Sequence, residues 1–352
     1  MYKYFTIKNF KNFKSLELND LERVNLIIGK NNSGKSSLLE AILLHNMNIA
    51  SIIPIIKSRN TDLSDVTNFK HIIQAFFNNF NTKEPIDLIG VFENNKKVSV
   101  SFRLLEKEEE IEKINIKIDL KQDISSLYSQ QPYAIEAVYK EDGNIKNFYL
   151  AFSASGKSML SSLPVPKFPV FFLPTSFRTS ILQEIAFYSQ IRSENYQNEI
   201  IKYLRIIEPK INNIEILTLT GESALYGDVG LDKPILLSFL GEGMSRLTNI
   251  LLAIGVSKNG VVLIDEIENG FHYSVLKDVW KAISEMARKF NVQIFATTHS
   301  YECIQNAHLA FKESDVYDFR VIRLDKIDDQ VKPVVMNQED LDTALELGFE
   351  IR

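Results

Sequence analysis

Cysteine is nearly absent from this sequence of 352 residues, since Cys303 is the only one. A single thiol cannot form an internal disulfide, which excludes a disulfide-stapled secreted scaffold and fits a reducing compartment. Long apolar runs are missing as well: no stretch approaches the roughly 18 residues that cross a bilayer, and the N-terminus lacks a signal-peptide layout. We therefore expect a cytoplasmic protein that does not enter a membrane.

An excess of positive charge is also lacking, because the formal net charge is -5. The composition, 45% hydrophobic and 24% charged, is that of an ordinary globular protein with one large or two average domains. A negative balance does not indicate a surface built to coat nucleic acid. DNA binding through a local basic groove stays open, but the charge does not indicate it.

A glycine-rich loop at residues 29–36 follows an apolar run and leads into a helical pattern. The order of strand, Gly-x-x-x-x-Gly-Lys-Ser and helix is that of a P-loop, whose backbone N–H groups and helix N-terminus surround phosphates. Lys35 would contact the β- and γ-phosphates, and the Ser36 hydroxyl would hold Mg²⁺. The predicted nucleotide-binding residues of this loop are Gly29, Asn31, Asn32, Ser33, Gly34, Lys35, Ser36 and Ser37.

Two carboxylates, Asp265 and Glu266, end a second apolar run, and His299 follows a third. An Asp-Glu pair at a strand end is typical of a Walker B motif, in which Asp265 would bind Mg²⁺ and Glu266 would polarise the attacking water. His299 would contact the γ-phosphate. Alone, each could be a solvated turn or a structural histidine; together with the P-loop they predict Lys35, Glu266 and His299 as catalytic residues and Ser36 and Asp265 as metal ligands.

These motifs resemble those of ABC-type AAA ATPases of the RecF, SMC and OLD (overcoming-lysogenization-defect) branch. Residues 29–36 match the Walker A motif, 240–244 the signature loop, 261–266 the Walker B motif, 268–272 the D-loop region and 298–300 the switch histidine. The resemblance covers essentially the whole chain. It implies an enzyme that hydrolyses ATP to ADP and phosphate with Mg²⁺.

The fold implied is an α/β ABC-ATPase (P-loop) head with a mixed or parallel core sheet, an antiparallel β-meander subdomain and an inserted helical lobe. Residues 1–178 would form the nucleotide-binding lobe with the meander, 179–234 the helical lobe, and 235–352 the signature loop, Walker B motif, switch histidine and closing strands. Alternating apolar residues predict the meander strands at 98–104, 111–120, 133–140 and 145–152. The Ser155-Gly156-Lys157-Ser158 stretch lacks a preceding strand, and we interpret it as a loop.

In that family two heads sandwich ATP, and the signature loop of one subunit completes the site of the other. This implies a homodimer or higher homo-oligomer in which Gly241, Gly243 and Arg246 act on the partner's nucleotide. The sequence departs from the usual signature by placing Gly241 where serine is common and Glu242 where glycine is common. A scaffold gated by nucleotide without hydrolysis therefore stays open as an alternative. For the Q-loop glutamine the candidates are Gln74 and the stretch 175–178.

Further absences narrow the branch. The sequence between Lys35 and Asp265 contains no sustained heptad repeats, which excludes long coiled-coil arms. The Asn-Lys-x-Asp motif that reads guanine is also missing, which disfavours a GTPase. About fifty residues follow His299, too few for the TOPRIM domain of OLD nucleases. Compact OLD-like ATPases of this kind resemble subunits of bacterial anti-phage or toxin-like systems that act with a separately encoded effector, such as a nuclease. The main alternative is a RecF-like repair ATPase that binds DNA.

Overall fold

The computed structural model describes residues 1–46, 52, 55, 66–106, 110, 133–152, 158–160, 166, 168–175, 180–219, 221–328 and 330–348. The strands, in chain order, are β1 (Tyr2–Phe10), β2 (Phe13–Leu18), β3 (Val24–Ile28), β4 (Ile86–Phe92), β5 (Lys97–Leu105), β6 (Tyr133–Glu141), β7 (Asn144–Phe152), β8 (Ser158–Leu160), β9 (Val170–Leu173), β10 (Asn213–Thr218), β11 (Ser223–Asp228), β12 (Ile235–Leu236), β13 (Val261–Ile264), β14 (Gln293–Thr297), β15 (Phe319–Ile327) and β16 (Gln330–Met336). The α-helices are α1 (Lys35–His45), α2 (Val66–Gln74), α3 (Ile181–Ser193), α4 (Gln197–Leu204), α5 (Glu242–Val256), α6 (Leu276–Phe290), α7 (Tyr301–Lys312) and α8 (Gln338–Glu346).

A mixed sheet in the order β16-β15-β3-β14-β13-β9 forms the core of the fold. Strands β15, β3, β14, β13 and β9 run parallel, and β16 pairs antiparallel with β15 at the edge. Every residue of β3, β13 and β14 is buried, which explains why these strands are mostly apolar and do not alternate between apolar and polar residues. Their carboxyl ends lie side by side, so the segments that follow them meet at one edge of the sheet.

A second, antiparallel sheet in the order β2-β1-β4-β5-β6-β7-β8 packs beside the core sheet. It is the predicted meander: the strands expected at 98–104, 133–140 and 145–152 correspond to β5, β6 and β7. Strand β4, which the sequence analysis did not identify, inserts between β1 and β5. The strand expected at 111–120 and residues 155–157 of the expected loop lie outside the described residues, whereas Ser158, also expected in that loop, begins β8 and pairs with β7.

The segment predicted as a helical lobe, 179–234, contains the helices α3 and α4 and also the strands β10 and β11, which form a three-stranded sheet with β12 just beyond it. The strands were not predicted because they are short and follow the longer helical pattern of residues 182–207. Tyr188 of α3 donates its hydroxyl to the carbonyl of Ile214 at 2.7 Å, which fastens the helix to the sheet. Helix α3 also packs on α5, so this segment adjoins the signature region.

The core sheet separates two hydrophobic clusters. Alternate side chains of β3 enter different clusters: Val24, Leu26 and Ile28 face the cluster with α5, α6 and α7, whereas Ile27 faces α1 and the antiparallel sheet. Each surface of the sheet is thus covered, and the loops at its carboxyl edge are held from both sides. Among the described residues no helix is both long and apolar enough to cross a membrane.

Candidate nucleotide-binding site

The P-loop connects β3 to α1 and has a backbone that only glycine can adopt at two positions. Gly29 has φ +139° and Gly34 has φ +100°, both in a region that L side chains rarely adopt. A Cβ at Gly29 would lie 2.6 Å from the carbonyl oxygen of Leu324, and one at Gly34 would lie 2.7 Å from the ring of Phe13. The loop is therefore tightly enclosed by β15 and β2, as the sequence pattern requires.

Lys35 lies folded back over its own loop. Its Nζ donates to the carbonyl oxygens of Gly29 at 2.7 Å and Lys30 at 3.1 Å, and the residue is 6% exposed. Burial lowers the pKa of the ammonium group, while the nearby carboxylates of Asp265 and Glu266 act in the opposite direction. A phosphate in the loop would offer Lys35 charged acceptors in place of neutral carbonyls.

The remaining P-loop residues divide between an outer and an inner side. Asn31 and Asn32 are exposed, and the side-chain amide of Asn12, in the turn between β1 and β2, donates to the carbonyl of Asn32 at 3.1 Å. Ser33 and Ser37 are buried, and the Ser33 hydroxyl has no hydrogen-bond partner among the described residues. Because buried polar atoms are normally paired, this hydroxyl fits a loop that takes up a phosphate group.

The two predicted metal ligands lie together at the end of the P-loop. The Ser36 hydroxyl oxygen lies 3.1 Å from Oδ1 and 3.0 Å from Oδ2 of Asp265, which follows β13. Hydroxyl and carboxylate oxygens are the ligand types that Mg²⁺ uses beside nucleotide phosphates. The donor set therefore fits a magnesium ion held between the P-loop helix and the Walker B strand.

Thr297, at the end of β14, belongs to the same cluster, although the sequence analysis did not identify it. Its hydroxyl donates to Oδ1 of Asp265 at 2.6 Å and accepts the backbone N–H of Glu266 at 2.8 Å. Strands β13 and β14 pair in parallel with Ile264 opposite Ala296, which places Thr297 opposite Asp265. The available signal was its position two residues before His299, at the end of the strand.

Glu266 and His299 face each other across the carboxyl ends of these strands. Glu266 has φ 48°, an uncommon conformation for a residue other than glycine, and its Oε2 accepts a hydrogen bond from Asn269 at 2.8 Å. The His299 Nε2 lies 3.8 Å from Oε1 of Glu266. Glu266 is half-buried and His299 is exposed, so both side chains are accessible to a ligand in the P-loop.

Glu268 supports the switch histidine from the turn after the Walker B strand. Its Oε1 accepts the backbone N–H of His299 at 2.8 Å, whereas its Oε2 is buried without a hydrogen-bond partner among the described residues. The sequence comparison placed Glu268 in the D-loop region without assigning it a contact. The structure adds a direct link between this carboxylate and the switch loop.

The signature loop leads into α5 and packs against the turn that follows the Walker B strand. Gly241 has φ +115°, and a Cβ at Gly243 would lie 2.8 Å from the carbonyl oxygen of Gly270. The Nη2 of Arg246 donates to the carbonyl of Asp265 in its own chain at 2.7 Å, and the expected contact of Arg246 with a partner's nucleotide stays a prediction. The side chain of Arg246 points toward the Walker B turn because the carbonyls of Asp265 and Glu266 lie beneath α5. The sequence pattern does not reveal this tertiary contact.

Lys35, Ser36, Asp265, Glu266 and His299 are thus brought to one edge of the core sheet, as predicted from their positions after apolar strands. Gly241 and Gly243 lie at the start of α5. Gln74 ends α2, and residues 176–178, the other Q-loop candidate, lie outside the described part of the chain.

The fold has the architecture of an SMC head, with a P-loop at one edge of the core sheet. A solved SMC head bound to the C-terminal winged-helix domain of ScpA is 14% identical, with a TM-score of 0.52 over 97% of this chain and 99% of that one. A head domain with an extended coiled coil, from Pyrococcus furiosus and bound to the C-terminal domain of ScpA, is 11% identical, with a TM-score of 0.51 over 98% of each chain. At these identities the likeness shows the fold.

Residues 24–304 match the family described as "AAA domain, putative AbiEii toxin, Type IV TA system", and the chain belongs to this family. A relative from Helicobacter pylori, named ATP/GTP phosphatase, is 26% identical over 369 aligned residues that cover 97% of this chain and 96% of the relative. The prediction of an AAA-type P-loop ATPase is confirmed. Its placement in the OLD branch stays a prediction.

Proposed function

We propose that this protein binds ATP with Mg²⁺ and hydrolyses it to ADP and phosphate. The observation that carries the proposal is the contact of the Ser36 hydroxyl with both Asp265 carboxylate oxygens, at 3.0 and 3.1 Å, beside the P-loop. A nucleotide-triphosphate site needs such a pair of oxygen ligands next to a phosphate-binding loop. The name of the Helicobacter pylori relative, ATP/GTP phosphatase, supports hydrolysis of a nucleoside triphosphate.

Each residue at the edge of the sheet has a chemical task in this reaction. The P-loop N–H groups and Lys35 bind and orient the β- and γ-phosphates, which is most of what phosphoryl transfer requires. Ser36 and Asp265 would hold Mg²⁺, which neutralises charge on the phosphate oxygens. Glu266 accepts a proton from the attacking water as its oxygen bonds to the γ-phosphorus and the bond to the bridging oxygen of ADP breaks. His299, next to Glu266, donates to the γ-phosphate.

We further propose a homodimer or higher homo-oligomer closed by ATP. The start of α5 offers backbone N–H groups at Gly241 and Gly243, which suit a γ-phosphate bound to a second copy. The toxin–antitoxin description of the family supports a role in a bacterial anti-phage or toxin-like system of the OLD-like kind. In such a system the dimer would act in the cytoplasm as a switch that holds a separately encoded effector. Each chain would consist of three parts, residues 1–178, 179–234 and 235–352.

Two substitutions test the ATPase. Lys35→Ala is expected to abolish binding of a fluorescent ATP analogue, because the loop loses the ammonium group assigned to the β- and γ-phosphates. Glu266→Gln is expected to bind ATP normally, to stop phosphate release and to accumulate as an ATP-bound dimer in size-exclusion chromatography with light scattering. Exposed residues supply the matched controls Lys233→Ala and Glu222→Gln, which should behave as wild type. Unchanged turnover in Glu266→Gln would refute the assignment of Glu266.

The effector role has a separate test. Co-expression of the chain with the product of each neighbouring gene should yield one stoichiometric complex whose stability changes on addition of ATP. If no neighbour co-purifies with either the wild type or the ATP-trapped Glu266→Gln variant, the effector role is refuted while the ATPase proposal stands. Steeply salt-dependent DNA binding that stimulates hydrolysis would instead support a repair function.

A further inference from the structure

Arg246 joins the signature helix to the Walker B strand within one chain. It lies on the second turn of α5, and its Nη2 donates to the carbonyl of Asp265 at 2.7 Å and to that of Glu266 at 3.4 Å. Burial lowers the pKa of its guanidinium group, although several carboxylates nearby favour the charged form. The side chain is thus directed at the backbone of its own catalytic segment.

The backbone that Arg246 contacts is in an uncommon conformation. Glu266 has φ 48°, a conformation that is strained for a residue with a Cβ and persists only where the surroundings hold it. The Thr297 hydroxyl accepts a hydrogen bond from the N–H of Glu266 at 2.8 Å. Arg246 donates to the carbonyl of Asp265, just before this N–H, and to the carbonyl of Glu266 itself. Arg246 is therefore one of the side chains that fix where the Glu266 carboxylate points.

The start of α5 also touches the turn that follows Glu266. A Cβ at Gly243 would lie 2.8 Å from the carbonyl oxygen of Gly270, which means that helix and turn meet without an intervening side chain. Since Arg246 follows Gly243 by three residues, both contacts lie on one side of the helix. A displacement of the signature loop would accordingly move the turn and the Glu266 backbone together.

Two buried charged atoms at this junction have no hydrogen-bond partner among the described residues: Nε of Arg246 and Oε2 of Glu268. Such atoms are rare in folded proteins because each loses its hydration without compensation. They belong to groups of opposite charge, and the other oxygen of Glu268 holds the N–H of His299 at 2.8 Å. Glu268 is one of the carboxylates whose charge acts on Arg246, so it connects this guanidinium electrostatically to the switch histidine.

We propose that Arg246 is a positioning residue that acts within its own subunit. It transmits displacement of the signature helix to Glu266 and, through Glu268, to His299; it does not bind the nucleotide of a second copy. Closure on the partner's ATP would in this way complete the hydrolytic arrangement in the chain that supplies the signature loop. The inference rests on the proposed ATPase function and specifies how its site is regulated.

Steady-state hydrolysis by the full chain separates positioning from nucleotide binding. Arg246→Ala should lower kcat by about 10- to 100-fold, the usual effect of removing a supporting contact, with the KM for ATP within about twofold of wild type. Arg246→Lys keeps one charged donor and should recover part of kcat. Arg205→Ala is the matched control, because Arg205 also donates to a backbone carbonyl, that of Ile211 at 3.1 Å, but in the lobe formed by α3 and α4.

Nucleotide-driven assembly gives the second readout. In the Glu266→Gln background, Arg246→Ala should still form the ATP-dependent dimer at the same ATP concentration. A tenfold rise in KM with kcat retained, or loss of the ATP-dependent dimer in a folded double variant, would overturn the inference in favour of a contact with the partner's nucleotide. If Arg246→Ala does not fold, the same comparisons are made with Arg246→Lys, whose kcat must fall while KM is kept.

Mixed dimers decide which subunit Arg246 serves. The reference is a dimer of wild type with Glu266→Gln, in which both chains bind ATP and only the wild-type chain hydrolyses it. Adding Arg246→Ala to the Glu266→Gln chain should leave the turnover of this dimer unchanged, whereas adding it to the wild-type chain should reduce turnover as in the Arg246→Ala homodimer. The opposite pattern refutes the inference. Lack of ATP turnover by wild type refutes the proposed function and the inference with it, while turnover that Arg246→Ala does not alter refutes the inference alone.

Discussion

The hydroxyl of Thr297 lies 2.6 Å from Oδ1 of Asp265, and this contact connects the ends of two neighbouring parallel strands. Because a hydroxyl carries one proton, the hydrogen bond to Asp265 leaves the Thr297 oxygen free to accept the N–H of Glu266, which it does at 2.8 Å. The contact orients the carboxylate toward Ser36 and fixes the backbone of Glu266. Thr297 thus supports both halves of the Asp-Glu pair.

Replacing Thr297 by valine should weaken magnesium binding without changing the fold. Valine keeps the branched shape of the side chain and removes the hydroxyl, so Asp265 loses its orienting donor. We expect the Mg²⁺ concentration for half-maximal hydrolysis to rise by about 10- to 100-fold, as for other supporting contacts of metal ligands. Thr297→Ser, which retains the hydroxyl, is the control and should stay near wild type. Equal Mg²⁺ requirements for the valine and serine variants would contradict this role.

The sequence was sufficient to predict the P-loop, the Walker B pair and the convergence of their strands, because each follows from local pattern. Glycine at two positions enforces the loop backbone, and the apolar strand β13 and the largely apolar strand β3 indicate a sheet covered on both faces. Since such strands are parallel, the residues after them meet at one edge. Ser36 and Asp265, far apart along the chain, are accordingly in contact.

What the sequence could not supply depends on register and on side-chain direction. Thr297 gains its role only because β14 pairs with β13 so that it stands opposite Asp265. Arg246 turns inward because carbonyls of the Walker B turn lie beneath α5, a tertiary relationship with no periodic signal. The short strands β10 and β11 were also missed by the sequence analysis. Each spans only six residues, and both follow the longer apolar pattern of two helices, within the segment predicted as a helical lobe.

Glu268 should matter through one hydrogen bond, the one that its Oε1 accepts from the N–H of His299 at 2.8 Å. Glu268→Ala removes this charged acceptor and releases the switch loop. A hydrogen bond to a charged group contributes about 1.5–3 kcal/mol, so we expect kcat to fall by about 10- to 100-fold while ATP binding is retained. Glu268→Gln keeps an acceptor oxygen and should lose less. A larger loss in the glutamine variant than in the alanine variant would show that the hydrogen bond is not the determining contact.

Gly243 should tolerate no side chain, because a Cβ there would lie 2.8 Å from the backbone oxygen of Gly270. A backbone carbonyl cannot move aside as a flexible side chain can, so Gly243→Ala must displace the start of α5. We expect a loss of about 1–3 kcal/mol in the free energy of unfolding, measured in urea, together with a marked loss of hydrolysis.

Gly255→Ala, in the same helix, is the matched control for that substitution. Its added methyl would meet the terminal carbon of Ile191, which can change rotamer, and no part of the Walker B turn. Gly255→Ala should therefore keep its hydrolytic activity whatever its effect on stability. If both alanine variants lose activity to the same extent, overpacking of α5 rather than displacement of the signature loop is the cause.

His45, at the end of α1, ties the P-loop helix to the antiparallel sheet. Its Nδ1 accepts a hydrogen bond from the hydroxyl of Tyr2 at 2.8 Å, and its Nε2–H donates to the carbonyl of Val98 at 3.1 Å. The residue is completely enclosed, and this burial lowers the pKa of the imidazole from 6.5 to about 4. The folded protein therefore holds His45 in its neutral form.

This difference predicts how stability depends on pH. Between pH 6.5 and 4 the unfolded chain binds a proton at His45 that the folded protein does not, so stability is fully present above pH 6.5 and is lost as the pH falls toward 4. The shift corresponds to about 3 kcal/mol in the free energy of unfolding. His45→Gln keeps hydrogen-bonding atoms but cannot titrate, so its urea-unfolding free energy should fall less steeply over this range. Parallel curves for variant and wild type would contradict the assignment.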